Sequence, residues 1–184
     1  VKKDRAGGGT GLGSTCPGGG VDGSNAFYSY SFAQRVDGPT HDSAQGTLLD
    51  YVRACAEEYG IRDNIRFDTE VIEAAFDEEA RTWRLRVKGA GGDEETIEAE
   101  AVISAVGQLN RPNVPESIGR DTFAGPSVHS ARWDHSVDLT GKRVAVIGTG
   151  ASAAQFIPPV AEQAAELLIF QRTPNWFVPV PHYY

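Results

Sequence analysis

Arg143-Val-Ala-Val-Ile147-Gly148-Thr149-Gly150-Ala151-Ser152-Ala153 decides the fold of this 184-residue chain. Val144 to Ile147 is a continuous apolar run rich in β-branched residues, the pattern of a parallel strand buried on both faces. A G-x-G-x-x-A turn follows at once. In that pattern the first glycine permits the tight turn, the second lets backbone approach a pyrophosphate, and the small third residue lets the helix pack close to the strand. The helix then directs free N–H groups and the positive end of its dipole at the phosphates. A helical pattern runs from Ala151 to about Gln163, with Phe156, Ile157 and Val160 as apolar anchors. Pro158 is expected to kink this helix or to end its first segment. Leu167 to Phe170 reads as the next strand. A lone G-x-G is a weak signal, but strand, turn, helix and strand together make a βαβ unit. They predict a nucleotide site drawn from Gly148, Thr149, Gly150, Ser152 and Gln155. The plainer reading is a glycine turn that only joins a strand to a helix.

The end of the second strand indicates which nucleotide. Sites for NAD place Asp or Glu there, about 20 residues on, to bind the ribose 2′-hydroxyl. This chain has Gln171-Arg172-Thr173 instead. A guanidinium is permanently charged and can bind two oxygens of a 2′-phosphate at once, so Arg172 and Thr173 favour NADP(H). A solvated surface arginine is the plainer alternative.

The net charge is −8 and no basic run appears, which argues against a nucleic-acid binder and suits an acidic enzyme. Cys16 and Cys55 have no metal-ligand spacing, as expected of a reduced cytoplasmic protein. His41, His135 and His182 form no ligand cluster, so no metal is expected. No apolar run approaches membrane-span length and no signal peptide is visible. The chain begins with Val and contains no Met, which predicts a piece of a longer protein.

Along the chain, the glycine-dense first 25 residues read by composition as a flexible linker; a loop lying against a flat or anionic cofactor is the alternative. Phe27, Tyr28, Tyr30 and Phe32 suggest a short strand or an aromatic loop. Thr47 to Tyr59 is an amphipathic helix with Leu48, Leu49, Val52 and Cys55 on one side and Gly60 as its stop. Ile65 to Phe67 and Val71 to Phe76 are strand-like, Thr82 to Val87 alternates strictly, and Thr96 to Ala99 returns. This is a three-stranded meander, expected to feed a buried strand at Ala101 to Val106. Residues 110–115 are a proline-stiffened connector, with a domain boundary between it and Leu139.

Phe123-x-Gly125-x-x-x-His129-x-x-x-Trp133-Asp134 resembles, at every fixed position, the fingerprint of the Baeyer–Villiger monooxygenases. It lies just before the glycine turn, where that family carries it. Ser104-Ala-Val-Gly-Gln108-Leu-Asn-Arg-Pro112, Leu139-Thr-Gly-Lys-Arg-Val and Phe170-Gln-Arg-Thr-Pro174 agree with the family as well. The wording looks closest to the hydroxyacetophenone-monooxygenase-like branch.

The resemblance implies an α/β fold: a Rossmann-like flavoprotein with two dinucleotide-binding domains, incomplete here, with a β-meander. Residues 1–115 would be a partial FAD-binding domain lacking its first glycine loop, 116–138 the fingerprint linker, and 139–184 the start of the NADP-binding domain. It implies an enzyme that uses FAD, NADPH and O2 to insert oxygen beside a ketone carbonyl through a C4a-peroxyflavin, giving an ester or lactone. Cofactors would carry that chemistry while protein supplies orientation and electrostatics. Carried over by position, Gly8, Gly9 and Thr10 match a flavin loop, and Pro17-Gly18 a following motif. Asp22 matches an acid beside the flavin that pairs with the active-site arginine. Tyr28 and Gln108 match positions lining the cofactor cleft, and Val71 a backbone contact to the FAD adenine. His129 and Trp133 belong to a connector that couples NADPH binding to domain movement.

The match also has departures. The family's Trp after Gly-Gly-Thr is Gly11, the Tyr before Pro-Gly is Cys16, and Lys2 occupies the position of the FAD-ribose acid. The family's first glycine loop would lie upstream of Val1 and its catalytic arginine downstream of Tyr184. The chain alone is therefore expected not to catalyse the reaction. Other readings of these residues remain: Trp133 as core, His129 as a structural histidine, Asp22 as a turn residue. An N- or S-oxygenating flavin monooxygenase, or a non-catalytic NADP(H)-binding remnant, are the alternative functions.

Overall fold

A computed structural model describes residues 1–3, 9–21, 23, 25–34, 43–107, 109, 111–116 and 119–177. Along the chain run α1 (Thr10–Gly13), a 3-10 turn (Asn25–Tyr28), α2 (Gln45–Glu58), a second 3-10 turn (Arg62–Asn64), β1 (Thr69–Asp77), β2 (Thr82–Gly89), β3 (Glu94–Ala99), a third 3-10 turn (Arg120–Thr122), β4 (Arg143–Ile147), α3 (Ala151–Gln163) and β5 (Glu166–Phe170). Two compact units divide them. One comprises Val1–Gly9 and Tyr51–Gln108, the other Thr10–Asp50 and Leu109–Tyr184.

The first unit contains the predicted meander: β1, β2 and β3 pair antiparallel in that order. Alternation along β2 sorts its side chains. Val87 is fully buried and Trp83 and Leu85 half-buried on one face, while Arg84, Arg86 and Lys88 are exposed on the other. On the exposed face Arg86 reaches Glu73 and Glu94, each at 2.9 Å, and Arg84 pairs with Asp77. Solvated pairs of this kind add little stability but disfavour a register slip that would set like charges opposite. A bulge between Val71 and Glu73 shifts the register of β1. The predicted amphipathic helix is α2, with Cys55 buried. Its end is closed by Gly60 N–H donating to the Glu57 carbonyl at 3.0 Å and Ile61 N–H to that of Ala56 at 2.9 Å.

Two strand expectations in this unit are corrected. Residues 65–67 are not a strand; the Arg66 carbonyl instead accepts the Lys2 N–H at 2.7 Å. Residues 101–106 are irregular and exposed, Ile103 at 91% and Val106 at 72%. An apolar run becomes a strand only where a neighbouring strand takes its backbone hydrogen bonds, and among the described residues none pairs with this one.

In the second unit β4 and β5 pair parallel, Val144 opposite Leu167 and Ile147 opposite Phe170, with α3 as the crossover. Val146 on β4 and Ala153 and Val160 on α3 are buried. Burial of a valine such as Val160 contributes roughly 1.5–3 kcal/mol. The expectation that β4 is buried on both faces is corrected: Val144 and Val146 are covered, but Ile147 is 65% and Phe170 57% exposed. Parallel strands need a layer on each side to be buried twice, and here α3 packs on one side while Ala145, Ile147 and Phe170 are exposed.

Nor does α3 end at Pro158. It continues through Pro158 and Pro159 to Gln163. The prolines remove the donors that would serve the Ala154 and Gln155 carbonyls, but burial of Val160 just beyond them holds the helix on the sheet. The linker reading of the glycine-dense segment is also corrected for its described part. Gly19 N–H donates to the Cys16 carbonyl, Val21 N–H to Ser43, and Gln45 N–H to Gly19, each at 3.0 Å. Composition cannot separate a glycine that frees the chain from one that admits a neighbouring backbone. A Cβ on Gly20 would stand 2.9 Å from the Ser43 carbonyl oxygen.

Candidate functional site

The glycine turn between β4 and α3 is built from its backbone. Gly148 N–H donates to the Phe170 carbonyl at 2.8 Å, which ties the turn to the end of β5. Gly148 has φ +104°, and a Cβ there would meet nothing within 4 Å. Glycine is required at that position by conformation rather than by space. Gly150 is the opposite case. It is the N-cap of α3 at φ −72° and ψ 179°, open to any residue, and a Cβ there would also meet nothing. Its carbonyl accepts the first intrahelical bond, from Ala154 N–H at 3.0 Å, and no side chain caps the helix. The first N–H groups of α3 have no intrahelical acceptors, and the exposed Gly150 and Ser152 leave the approach to them open.

Thr149, between the two glycines, is held from the far side. Its hydroxyl accepts from Gln171 Nε2 at 3.0 Å and from Asn175 Nδ2 at 3.4 Å, and Asn175 Nδ2 also donates to its carbonyl. The segment after β5 is thus clamped over the turn, with Arg172 and Thr173 exposed on it. Among the described residues Arg172 makes no hydrogen bond or ion pair. Gln171 and Asn175 were missed as site residues, because side-chain amides carry no local pattern. Gln155 Oε1 accepts the Gly20 N–H at 2.9 Å.

The fingerprint residues form a run of local locks. The Phe123 ring lies over Gly125, where a Cβ would stand 2.7 Å from two ring atoms. His129 Nδ1 accepts Ala131 N–H at 3.1 Å while the His129 carbonyl accepts Arg132 N–H at 2.8 Å, closing a tight turn. Trp133 packs on Phe156 of α3, ring centroids 5.4 Å apart. Asp134 Oδ1 accepts the Ser136 hydroxyl at 2.6 Å and its N–H at 2.9 Å. These bonds, the hydroxyl's first, hold the Asp134 carboxyl below its ordinary range. His135 Nε2 lies 3.0 Å from Thr15 Oγ1.

Of the flavin-loop positions, Gly9 adopts φ +51° and Thr10 opens α1. Tyr28 closes the 3-10 turn Asn25–Tyr28 and is exposed. Val71 lies at the bulge of β1, an edge strand of its sheet. Gly8, Asp22 and Gln108 lie outside the described residues, as do His41 and His182. Among the described residues no three His, Cys, Asp or Glu gather as metal ligands, and no helix is long and apolar enough to cross a membrane.

A parallel βαβ unit turning on G-x-G-x-x-A puts the chain in the Rossmann-like α/β class. The chain belongs to the flavin-binding monooxygenase-like family, which it matches over residues 26–180. It is 43% identical over 182 residues to a Baeyer–Villiger monooxygenase of Streptomyces coelicolor, covering 97% of this chain and 34% of that one. Among solved structures it is similar to an oxidised steroid monooxygenase bound to NADP, with a TM-score of 0.85 and 39% identity over 99% of this chain and 35% of that one. It is likewise similar to OTEMO in complex with FAD and NADP, with a TM-score of 0.88 and 35% identity over 99% of this chain and 35% of that one. The chain therefore spans about a third of the length of these relatives.

Proposed function

We propose that this chain is part of an FAD- and NADPH-dependent Baeyer–Villiger monooxygenase that acts on a small-molecule ketone with O2 and yields an ester or lactone. The observation that carries the reading is the turn at residues 148–152. Gly150 has no conformational or steric need to be glycine within the fold, yet it fronts an uncapped helix start. A pyrophosphate fits there, since it needs close backbone approach and free N–H donors. Relatives named as monooxygenases of this type, with NADP or FAD bound, support the assignment.

In this reading residues 1–115 belong to the FAD-binding part, 116–138 to the fingerprint linker and 139–184 to the NADP-binding part. Gly150 and Ser152 hold the pyrophosphate by backbone N–H groups, Gly148 supplies the positive-φ turn that brings them there, and Thr149 is kept in place by Gln171 and Asn175. Arg172 takes the 2′-phosphate, with Thr173 beside it. Gly8, Gly9 and Thr10 are assigned to flavin binding, and Tyr28 and Gln108 to cofactor binding. The bulged edge strand at Val71 suits a backbone contact to adenine, because an edge leaves main-chain groups unpaired. Asp22 is the acid beside the flavin. When bound, the flavin supplies the oxygen-transfer chemistry and NADPH the reducing equivalents. The chain's own residues bind and orient these groups. The free thiols of Cys16 and Cys55 favour a cytoplasmic setting.

The test is titration of the protein with NADP+ and NAD+, alongside a visible spectrum with and without added FAD. Tighter binding of NADP+ supports the reading. Absence of binding by either dinucleotide overturns it. A bound-flavin spectrum would show that the residues present suffice to hold FAD.

A further inference from the structure

Residues 16–21 are fixed on two sides. The Ser43 carbonyl and the Gln45 N–H hold one edge through Val21 and Gly19. Helix α3 holds the other, and there both contacts are with one residue. Gln155 Oε1 takes the Gly20 N–H at 2.9 Å, and the Gln155 main-chain carbonyl faces Gly18 so closely that a Cβ on Gly18 would run into it. That Cβ would also stand 3.3 Å from Pro159 Cγ. Pro159 is four residues beyond Gln155 and has no N–H, so the Gln155 carbonyl lacks its helical donor and is turned to the loop instead. Gln155 is one turn along α3 from Ser152, at the spacing that shares a helix face.

We infer that Gln155 is a positioning residue: through its side-chain oxygen it latches the glycine loop at residues 16–21 to the helix of the nucleotide turn. The inference rests on the dinucleotide reading of that turn. The Gln155 amide bonds the loop through its oxygen, 2.9 Å from the Gly20 nitrogen. Nucleotide occupancy of the turn and the placement of the loop at residues 16–21 therefore share one strut.

The test uses Gln155→Leu, which removes the acceptor, and Gln155→Glu, which keeps an oxygen at the same reach, in the intact protein. Two quantities are read: the exchange rate of the Gly20 amide, with and without saturating NADP+, and the Kd for NADP+. Losing one hydrogen bond should speed Gly20 exchange about tenfold in Gln155→Leu. In Gln155→Glu it should stay within about threefold of the unsubstituted protein, because the acceptor is retained. NADP+ should slow Gly20 exchange in the unsubstituted protein but not in Gln155→Leu. Gly18→Ala attacks the contact from the loop side with Gln155 intact and should also speed Gly20 exchange; it decides the matter if Gln155→Leu does not fold. Unchanged Gly20 exchange in these variants overturns the latch. A Kd raised about tenfold with unchanged exchange makes Gln155 a ligand instead. If the unsubstituted protein binds no NADP+, the dinucleotide reading fails, and Gly20 exchange without nucleotide still decides the latch.

Discussion

Trp133 lays its indole against Phe156, ring centroids 5.4 Å apart and planes tilted by 50°. Trp133 sits on the connector that precedes β4, and Phe156 on the second turn of α3, the helix that starts at the glycine turn. The fingerprint tryptophan is thus fastened to the element that fronts the candidate nucleotide site. A shift of α3 would have to repack this ring pair, because interiors are close-packed.

Removing either ring should be costly and removing both less than additive. Trp133→Ala and Phe156→Ala are each expected to lower stability by about 1–3 kcal/mol, below the cost at a fully buried site because both rings are half-buried. A double-mutant cycle should give a coupling of roughly 0.5–1.5 kcal/mol. Denaturant melts of the four proteins measure it; additive losses would mean that the two rings do not act as a pair.

The two glycines of the turn should part company under the same substitution. Gly148→Ala forces a side chain into positive φ and should destabilise the protein by about 1–2 kcal/mol. Gly150→Ala should leave stability within about 0.5 kcal/mol, since its backbone suits any residue and its Cβ would meet only open space. It should nonetheless weaken NADP+ binding, because the methyl group stands where a pyrophosphate must approach. Thermal melts paired with nucleotide titration separate the two effects. Intact affinity in Gly150→Ala would remove the main support for the pyrophosphate site.

The βαβ unit was legible because periodicity and glycine spacing are local properties. Residues 151–163 are helical as the pattern predicts, and β4 and β5 lie within a residue of theirs. The meander was legible from the alternation of residues 82–87, and α2 from its apolar stripe and the Gly60 stop. What the sequence concealed depends on neighbours. The run at 101–106 has strand chemistry but no strand beside it among the described residues. Pro158 and Pro159 look like helix breakers until the burial of Val160 is seen. Glycines 18–20 look like linker until the Gln155 and Ser43 carbonyls are found against them. At the site, Gly148, Gly150 and Arg172 follow from spacing, whereas the amides of Gln171 and Asn175 on Thr149 are long-range contacts that no motif encodes.

Asp134 should give an acid-side signature. Ser136 donates two hydrogen bonds to its carboxylate, so its folded pKa lies below the unfolded one. A depressed carboxyl contributes stability above its unfolded pKa and loses it as pH falls through the folded value. Asp134→Asn should therefore melt below the unsubstituted protein near neutral pH, and the gap should close below about pH 4, where carboxyls protonate. Ser136→Ala should move the Asp134 carboxyl back toward the ordinary range in a titration followed by NMR. A melting gap that widens on acidification would contradict the sign.

Arg172 offers the sharpest discrimination. It is exposed at the end of β5, where a dinucleotide site reads the ribose, and among the described residues no carboxylate neutralises it. Gln171, at the adjoining position, is spent on Thr149 and carries no charge to repel a phosphate. A charge-assisted contact to the 2′-phosphate is worth about 1.5–3 kcal/mol, so Arg172→Ala should weaken NADPH by about 10- to 100-fold. NADH has no such phosphate and should bind within about threefold of its original affinity, as for any surface change. Arg172→Lys should recover only part of the loss, because an ammonium meets the phosphate as a point charge rather than through a planar fork. Parallel titrations of the three proteins with NADPH and NADH measure this. Equal losses for both nucleotides would show that Arg172 does not read the 2′-phosphate.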